Sequence, residues 1–327
     1  MKDRVLITGA SGFVGYHLIE EALKNNLEVY AAVRKSSRIE HLKNLDIQYT
    51  YPAFNDIAAL TREIKEKKYD YIIHAAGATK ARSASEYNLI NATYTFNLAK
   101  AAEEAGVKKF VFISSLATIG ALKSINGLIT DNTAPAPFTA YGKSKLLAEE
   151  KLKSLTKLNY TILRPTAVYG PRDTDIFIFL KQIAKGIEPY IGNIQQKLSF
   201  VFVKDLAVVS VKALFAPEKS TYNISDGNFY DRYEMADITK FLLKSKTIKF
   251  HLPVNFVKIV AAIAGNISSL RGKAAVVNLE KISELIAVNW HCDIERAKSE
   301  LGFYPQYNLK AGLTDTIQWY KENKWLK

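Results

Sequence analysis

Tyr141 and Lys145 stand four residues apart in the segment T-A-Y-G-K-S-K. Four residues is about one helical turn, so both side chains leave the same helix face, where an ammonium favours a neighbouring phenolate. Positive charge of that kind draws a phenol down from its usual pKa of about 10. A tyrosine so tuned passes a proton to or from a carbinol oxygen. Ser115 ends the I-S-S run of residues 113–115, and its hydroxyl, both donor and acceptor, is expected to hold that oxygen. Period-two alternation sends Ser114 to the opposite face, and Gly120, five residues on, favours Ser115 for the site; Ser114 is then a backbone-capping neighbour. Upstream, Gly9, Gly12 and Gly15 have the spacing of a tight turn that lets a pyrophosphate approach the backbone and rest on a helix N-terminus. Together these groups describe a redox enzyme.

Eight segments extend the pattern in order: TGASGFVG (8–15), HAAG (74–77), ISSLATIG (113–120), YGKSK (141–145), LRPTAVYGPRD (163–173), FVKDLA (202–207), YNISDG (222–227) and AKSELGFYPQYNLKAGL (297–313). On these segments the chain resembles the extended short-chain dehydrogenases/reductases, the NAD-dependent epimerase/dehydratase superfamily, almost end to end. Its C-terminal WHCDIERAKSELGF is closest to dihydroflavonol-reductase and 3β-hydroxysteroid-dehydrogenase-like members. The resemblance implies a nicotinamide cofactor, with Ser115, Tyr141 and Lys145 as catalytic residues and Lys145 also bonded to the nicotinamide ribose. It carries cofactor contacts to Gly9, Ser11, Gly12, Phe13, Val14 and Gly15, to Ala75, Ala76 and Gly77, and to Asn91, Ser114, Tyr141 and Lys145. Pro165, Thr166 and Val168 would line the nicotinamide. The chain departs from the family at Ala53, where an adenine-binding aspartate is common, and at Tyr94, where glycine is common. Phe54 is the substitute expected at the adenine, and Asp56 reads as a helix N-cap.

The end of the second strand selects the cofactor. A carboxylate there would accept from the ribose 2′-hydroxyl and repel a 2′-phosphate. The chain instead has Arg34, Lys35, Ser36, Ser37 and Arg38. Guanidinium and hydroxyl donors suit a phosphate dianion, so NADP(H) is favoured over NAD(H), with Arg34, Ser36, Ser37 and Arg38 as contacts. The other reading is a solvated basic loop that leaves the ribose unread.

These groups need a scaffold. Strand-like runs at 3–8, 28–33, 70–74, 108–114 and 160–164, separated by helical segments, predict an α/β fold with a doubly wound parallel sheet of the Rossmann type. SFVFV (199–203) and TYNIS (221–225) read as a return to that sheet. Residues 1–173 and 198–226 then form the dinucleotide-binding domain. Residues 174–197 and 227–327 form a smaller, mostly helical substrate-binding domain.

The 327 residues are 48% apolar and 24% charged, the makeup of a globular chain with a sizeable core. A lone cysteine, Cys292, excludes an internal disulfide, and no basic-then-apolar leader precedes the first strand; a cytoplasmic enzyme without a membrane span is expected. The histidines have no metal-ligand spacing, so no metal site is expected. His74 reads as a packed strand-end residue, and Tyr304, Trp319, Tyr320 and Trp325 as packing. The net charge of +13 is spread over KEKK (65–68), KSKTIK (244–249) and KENKWLK at the end, without an aromatic platform. Solvated surface is the plain reading, attraction of an anionic ligand the alternative, and nucleic acid is not expected.

Leu116 and Ala117 stand where dehydratases need an acid pair, which disfavours elimination of water. Leu198 occupies the place where sugar-nucleotide epimerases tend to carry a diphosphate-binding arginine; Arg172, Lys197 and Arg271 are other candidate donors. The expected activity is an NADP(H)-dependent oxidoreductase acting between a carbonyl and a secondary alcohol, with Tyr141 as acid/base. The alternative is a nucleotide-sugar epimerase or reductase, and a further one a cofactor-binding regulator without turnover. A largely apolar small-molecule substrate is expected, beside an apolar stripe of Phe256, Ile259, Val260, Ile263 and Ile267 read as core. The resemblance also implies a homodimer through the helices near 85–105 and 140–157.

Overall fold

Apolar residues run without alternation through V-L-I-T and F-V-F-I, the mark of strands covered on both faces. The computed structural model describes residues 2–270 and 279–326, the side chains of 263–270 apart. Strand and helix alternate at first: β1 (Arg4–Thr8), α1 (Phe13–Lys24), β2 (Glu28–Ala32), β3 (Ile47–Thr50), α2 (Ile57–Lys67), β4 (Tyr71–His74), α3 (Ala84–Tyr87), α4 (Tyr94–Ala105), β5 (Lys109–Ile113), α5 (Ala140–Lys153) and β6 (Tyr160–Pro165). The chain continues with β7 (Ala167–Tyr169), α6 (Asp175–Ala184), β8 (Ile187–Ile191), β9 (Phe200–Phe202), α7 (Val203–Lys212) and β10 (Ser220–Ile224). Last come α8 (Glu234–Leu243), β11 (Ile248–Leu252), α9 (Val254–Leu270), α10 (Leu279–Leu285), α11 (Glu295–Leu301) and α12 (Leu309–Glu322).

Seven strands form one parallel sheet in the order β10-β6-β5-β4-β1-β2-β3. Successive residues serve opposite faces. Val5 and Ile7 meet Leu18 of α1 and Leu206 of α7 in one core, whereas Leu6 and Ile72 meet Leu98 of α4 and Ala148 of α5 in the other. The order reverses between β1 and β4, the switch point at which open α/β sheets bind ligands at the carboxyl ends of their strands.

The remaining elements depart in part from the sequence expectation. TYNIS joins the main sheet as β10, but SFVFV does not: β9 pairs with β7 in a separate two-stranded sheet. β8 and β11 form another such pair, so the later chain carries strands among its helices. Tyr169, Phe200 and Phe202 pack with Leu180 of α6, Met235 of α8 and Leu313 of α12 in a third core. Trp319, Tyr320 and Trp325 pack there as expected, but Tyr304 is exposed. The stripe on α9 is not core: Phe256, Ile259 and Val260 are 56%, 60% and 48% exposed. Hydropathy spacing marks an amphipathic helix without naming what covers it. Ile263, Ile267 and Arg271 lie outside the residues whose side chains are described.

Candidate active site

The strand register assembles the site. Thr8 pairs with Ala32 on one side and with His74 on the other, so the glycine turn lies between the ends of β2 and β4. His74 pairs with Phe112, and Ile113 with Leu163, which places Ser114 and Ser115 between Ala75–Gly77 and Pro165–Val168. Every sequence-predicted position on a strand end thus falls along one edge of the sheet.

At the turn, Gly9 has a φ of +70°, and a Cβ there would sit 2.8 Å from the Ala75 and Ala76 backbone. Only glycine combines that conformation with that approach. A side chain at Gly15 would overlap the Gly9 carbonyl oxygen. Gly12 starts α1 with no side-chain cap, leaving the first-turn amides for an anion. This cradle fits a dinucleotide pyrophosphate. Ser11, Phe13 and Val14 are partly exposed around it. Arg34, Ser36 and Arg38 are exposed in the turn after β2, and the Arg34 amide donates to Ser37 Oγ at 3.0 Å. Ser37 is therefore already engaged in holding the turn. Arg172, a candidate donor, lies against α1, its guanidinium stacking 3.9 Å from the Tyr16 ring centroid.

His74 is buried between Thr8 Oγ1, 2.7 Å from Nδ1, and Thr95 Oγ1, 2.8 Å from Nε2. Burial pushes its pKa down to about 3, so it is a neutral structural residue, as expected. Thr8 Oγ1 also accepts from the Ala76 amide at 3.1 Å and fixes the HAAG loop. Asn91 lies in a π-helical segment between α3 and α4. It accepts from the Ala78 amide at 2.7 Å and donates to Ser144 Oγ at 2.9 Å, joining that loop to α5. Phe54 packs against Tyr94 and His74, and Asp56 caps α2 by accepting from the Ala59 amide at 3.0 Å. The tyrosine at 94 is thus the partner of Phe54.

Tyr141 and Lys145 share the face of α5 turned toward β5 and the HAAG loop. Lys145 Nζ donates to the Ile113 carbonyl at 2.8 Å, and a Cβ on Gly77 would stand 3.4 Å from it. Burial lowers this lysine to about 8. The phenol departs from expectation: burial raises Tyr141 to about 12, opposed by the neighbouring Ser115 hydroxyl and reinforced by Glu284 and Tyr87. Desolvation of a phenolate outweighs the neighbouring ammonium here, because that ammonium is turned onto a carbonyl. Ser115 opens the turn after β5, its Oγ accepting from the Ala117 amide at 3.2 Å. Ser114 does not cap backbone; it donates to buried Glu149 at 2.6 Å, and Glu149 pairs with buried Arg164 at 2.5 Å. Beyond the serines, Thr166 is buried with Oγ1 unpartnered, an open polar position among the expected nicotinamide-lining residues, beside partly buried Val168.

Sequence reading missed the wall supplied by α10. The Ala140 amide donates to both oxygens of Glu280 at 3.0 Å, and Thr139 Oγ1 to Glu284 at 3.3 Å. Tyr87 meets Tyr141 edge-on with ring centroids 6.2 Å apart. No local motif marks these residues, since they are about 140 positions from the helix they touch. Leu198 packs against the third core and bridges to Tyr230, while Lys197 lies over Phe229 with Nζ 4.6 Å from the ring centroid. No group of three metal-ligating side chains occurs among the described residues.

The architecture recurs in a UDP-glucose 4-epimerase of Thermotoga maritima solved with UDP-glucose, with a TM-score of 0.82 at 20% identity over 98% of this chain and 99% of that one. In sequence, a UDP-glucose 4-epimerase of Vibrio cholerae is 30% identical over 97% of this chain and 95% of its own length. A ceramide reductase of Caulobacter vibrioides is 26% identical over 98% and 96%. Residues 5–225 match the family profile described as NAD dependent epimerase/dehydratase. A glycine-cradled sheet edge, a serine-tyrosine-lysine set beside it and a match over two thirds of the chain agree: this protein belongs to the NAD dependent epimerase/dehydratase family, the extended short-chain dehydrogenases/reductases.

Proposed function

We propose that this protein interconverts a secondary carbinol and its carbonyl through Ser115, Tyr141 and Lys145, and that the substrate is a nucleotide sugar whose carbinol is epimerised. The observation that carries the chemistry is the placement of Tyr141 and Lys145 one turn apart on α5 against the end of β5, with Lys145 Nζ donating to the Ile113 carbonyl at 2.8 Å, two residues before Ser115. The epimerase relatives support the return of the hydride to the same substrate. Bound nicotinamide would accept the hydride and give it back. Tyr141 takes the hydroxyl proton as the carbonyl forms and returns it when the carbinol is rebuilt. Ser115 holds the oxygen throughout and lowers the phenol. Lys145 needs only to exchange the Ile113 carbonyl for a ribose oxygen and the phenolate to supply charge at the moment Tyr141 ionises.

Net reduction of a less polar ketone is the second reading, and specific observations favour it. Leu198 offers no phosphate donor, and Glu280 and Glu284 stand near Tyr141, where a diphosphate would meet repulsion. Arg34 and its neighbours suit NADPH, a cofactor used for reduction. In the same proposal, residues 1–173 and 198–226 bind the dinucleotide, and 174–197 with 227–327 close over the substrate.

One assay separates the two. Under epimerisation, UDP-sugars interconvert with no net change in nicotinamide absorbance. Stoichiometric loss of NADPH with ketones, and no epimer formed from any UDP-sugar, would overturn the first reading in favour of the second. Melting shifts at equal concentration compare the cofactors, since a ligand that binds only the native state stabilises it. NADPH is expected to give the larger shift, and a larger one with NADH would remove the role assigned to Arg34.

A further inference from the structure

The β8–β11 pair has two unlike faces. Register pairs Ile187 with Ile248, Pro189 with Phe250 and Ile191 with Leu252, so alternation sends these six residues to one side. Glu188, Tyr190, Lys249 and His251 take the other, where Glu188 is fully buried and bonded to Tyr190, Thr247 and Lys240. Half of the apolar side is exposed: Ile248 is 76% exposed, and Ile187 and Phe250 are also exposed, while Pro189, Ile191 and Leu252 are half-buried. The chain passes directly into α9, whose first turns expose Phe256, Ile259 and Val260. A second feature accompanies the first. Lys185, Lys244, Lys246 and Lys258 are exposed around these residues and form no ion pair among the described residues. Within residues 185–198 and 244–262 the sole acid is Glu188, on the inner face.

We propose that the apolar face of β8–β11 and the first turns of α9 dock this protein on an anionic lipid surface. Aliphatic and phenylalanine side chains flanked by unpaired lysines match a bilayer interface, where the apolar groups enter below the headgroups and the ammonium groups meet lipid phosphates. A second copy fits poorly, because a two-fold contact would bring the same lysines together with no acid to meet them. The exposed set holds none of the Trp, Tyr or Arg side chains that commonly anchor protein interfaces. The inference goes beyond the hydride-transfer reading and is independent of it.

The test is co-sedimentation of the full chain with vesicles of phosphatidylglycerol and phosphatidylcholine, or of phosphatidylcholine alone, at about 0.1 M salt. Binding to the anionic vesicles is expected, falling about tenfold or more in I248S/F256S/I259S and in K244E/K246E. Thermal melting of each variant checks that it is folded; the changed side chains are exposed, and single substitutions I248S and F256S serve if the combined variants melt early. Absence of binding, equal binding to both vesicle types, or wild-type binding by the folded apolar variants would each overturn the proposal. So would light scattering in which I248S/F256S/I259S alone dissociates an oligomer, the result expected of a face that covers a second copy.

Discussion

The proposed chemistry turns on Tyr141, and its raised pKa makes the requirement on its surroundings explicit. A phenol held near about 12 stays protonated at working pH, which suits donation to a forming alkoxide. Acting as a base demands that Lys145 and Ser115 pay down that difference once substrate and cofactor fill the cleft. Tyr141→Phe is therefore expected to lower turnover about 100- to 10,000-fold. The cofactor-induced melting shift should stay near wild type, since only a hydroxyl is removed. Near-normal turnover in that variant would reassign the acid/base. Lys145→Ala should lose both turnover and melting shift, because its ammonium, held on the Ile113 carbonyl beside Gly77, is the group proposed to serve both the ionising phenol and the ribose.

Among the elements, α6 shows how the fold holds its loops at a measurable cost. Asp173 is buried and accepts from the Asp175 and Ile176 amides at 2.9 and 3.2 Å, tying the end of the Y-G-P-R-D segment to the helix. Burial raises its pKa from 3.8 to about 6 in spite of those bonds. A group raised on folding contributes stability that is complete below 3.8 and is lost as pH rises through about 6. Asparagine keeps an acceptor and does not titrate. The stability of Asp173→Asn relative to wild type should thus rise between about pH 4 and about pH 7, by up to about 3 kcal/mol. Urea unfolding at both ends of that window measures it, and a difference independent of pH would show that the carboxylate titrates normally. α5 displays the same economy in another form. Its inner face carries Lys145 toward the site while Glu149, one turn on, ties Ser114, just after β5, and Arg164 of β6 together. Glu149→Ala would leave Arg164 buried without its partner, a loss of about 3–5 kcal/mol in chemical denaturation.

At the scale of the whole molecule, the outer surfaces of α4 and α5 are proposed to pair two copies of the chain. Light scattering at micromolar concentration should return twice the 36.6 kDa chain mass. A mass of one chain would rule the pairing out. Among the described residues no helix is long and apolar enough to cross a membrane.

The local chemistry was written in the sequence. Glycine spacing, the Y-x-x-x-K turn and buried strand runs all depend on contacts within a few residues, where geometry follows from periodicity and sterics, and they account for the parallel sheet, the glycine cradle at its carboxyl end and the shared helix face of Tyr141 and Lys145. Asp56 as a cap and His74 as packing were legible for the same reason. Long-range packing decided the rest. Whether SFVFV joins the main sheet depends on which strand end is free to receive it, and β7 took it. Whether the α9 stripe is core depends on what packs against it, which hydropathy does not record. The Tyr141 pKa turned on where Lys145 points and how dry its pocket is, and Glu280 and Glu284 reach α5 from about 140 residues away. Spacing along a chain reports which side chains share a face, whereas burial, charge and substrate walls belong to neighbours that only the folded topology brings together.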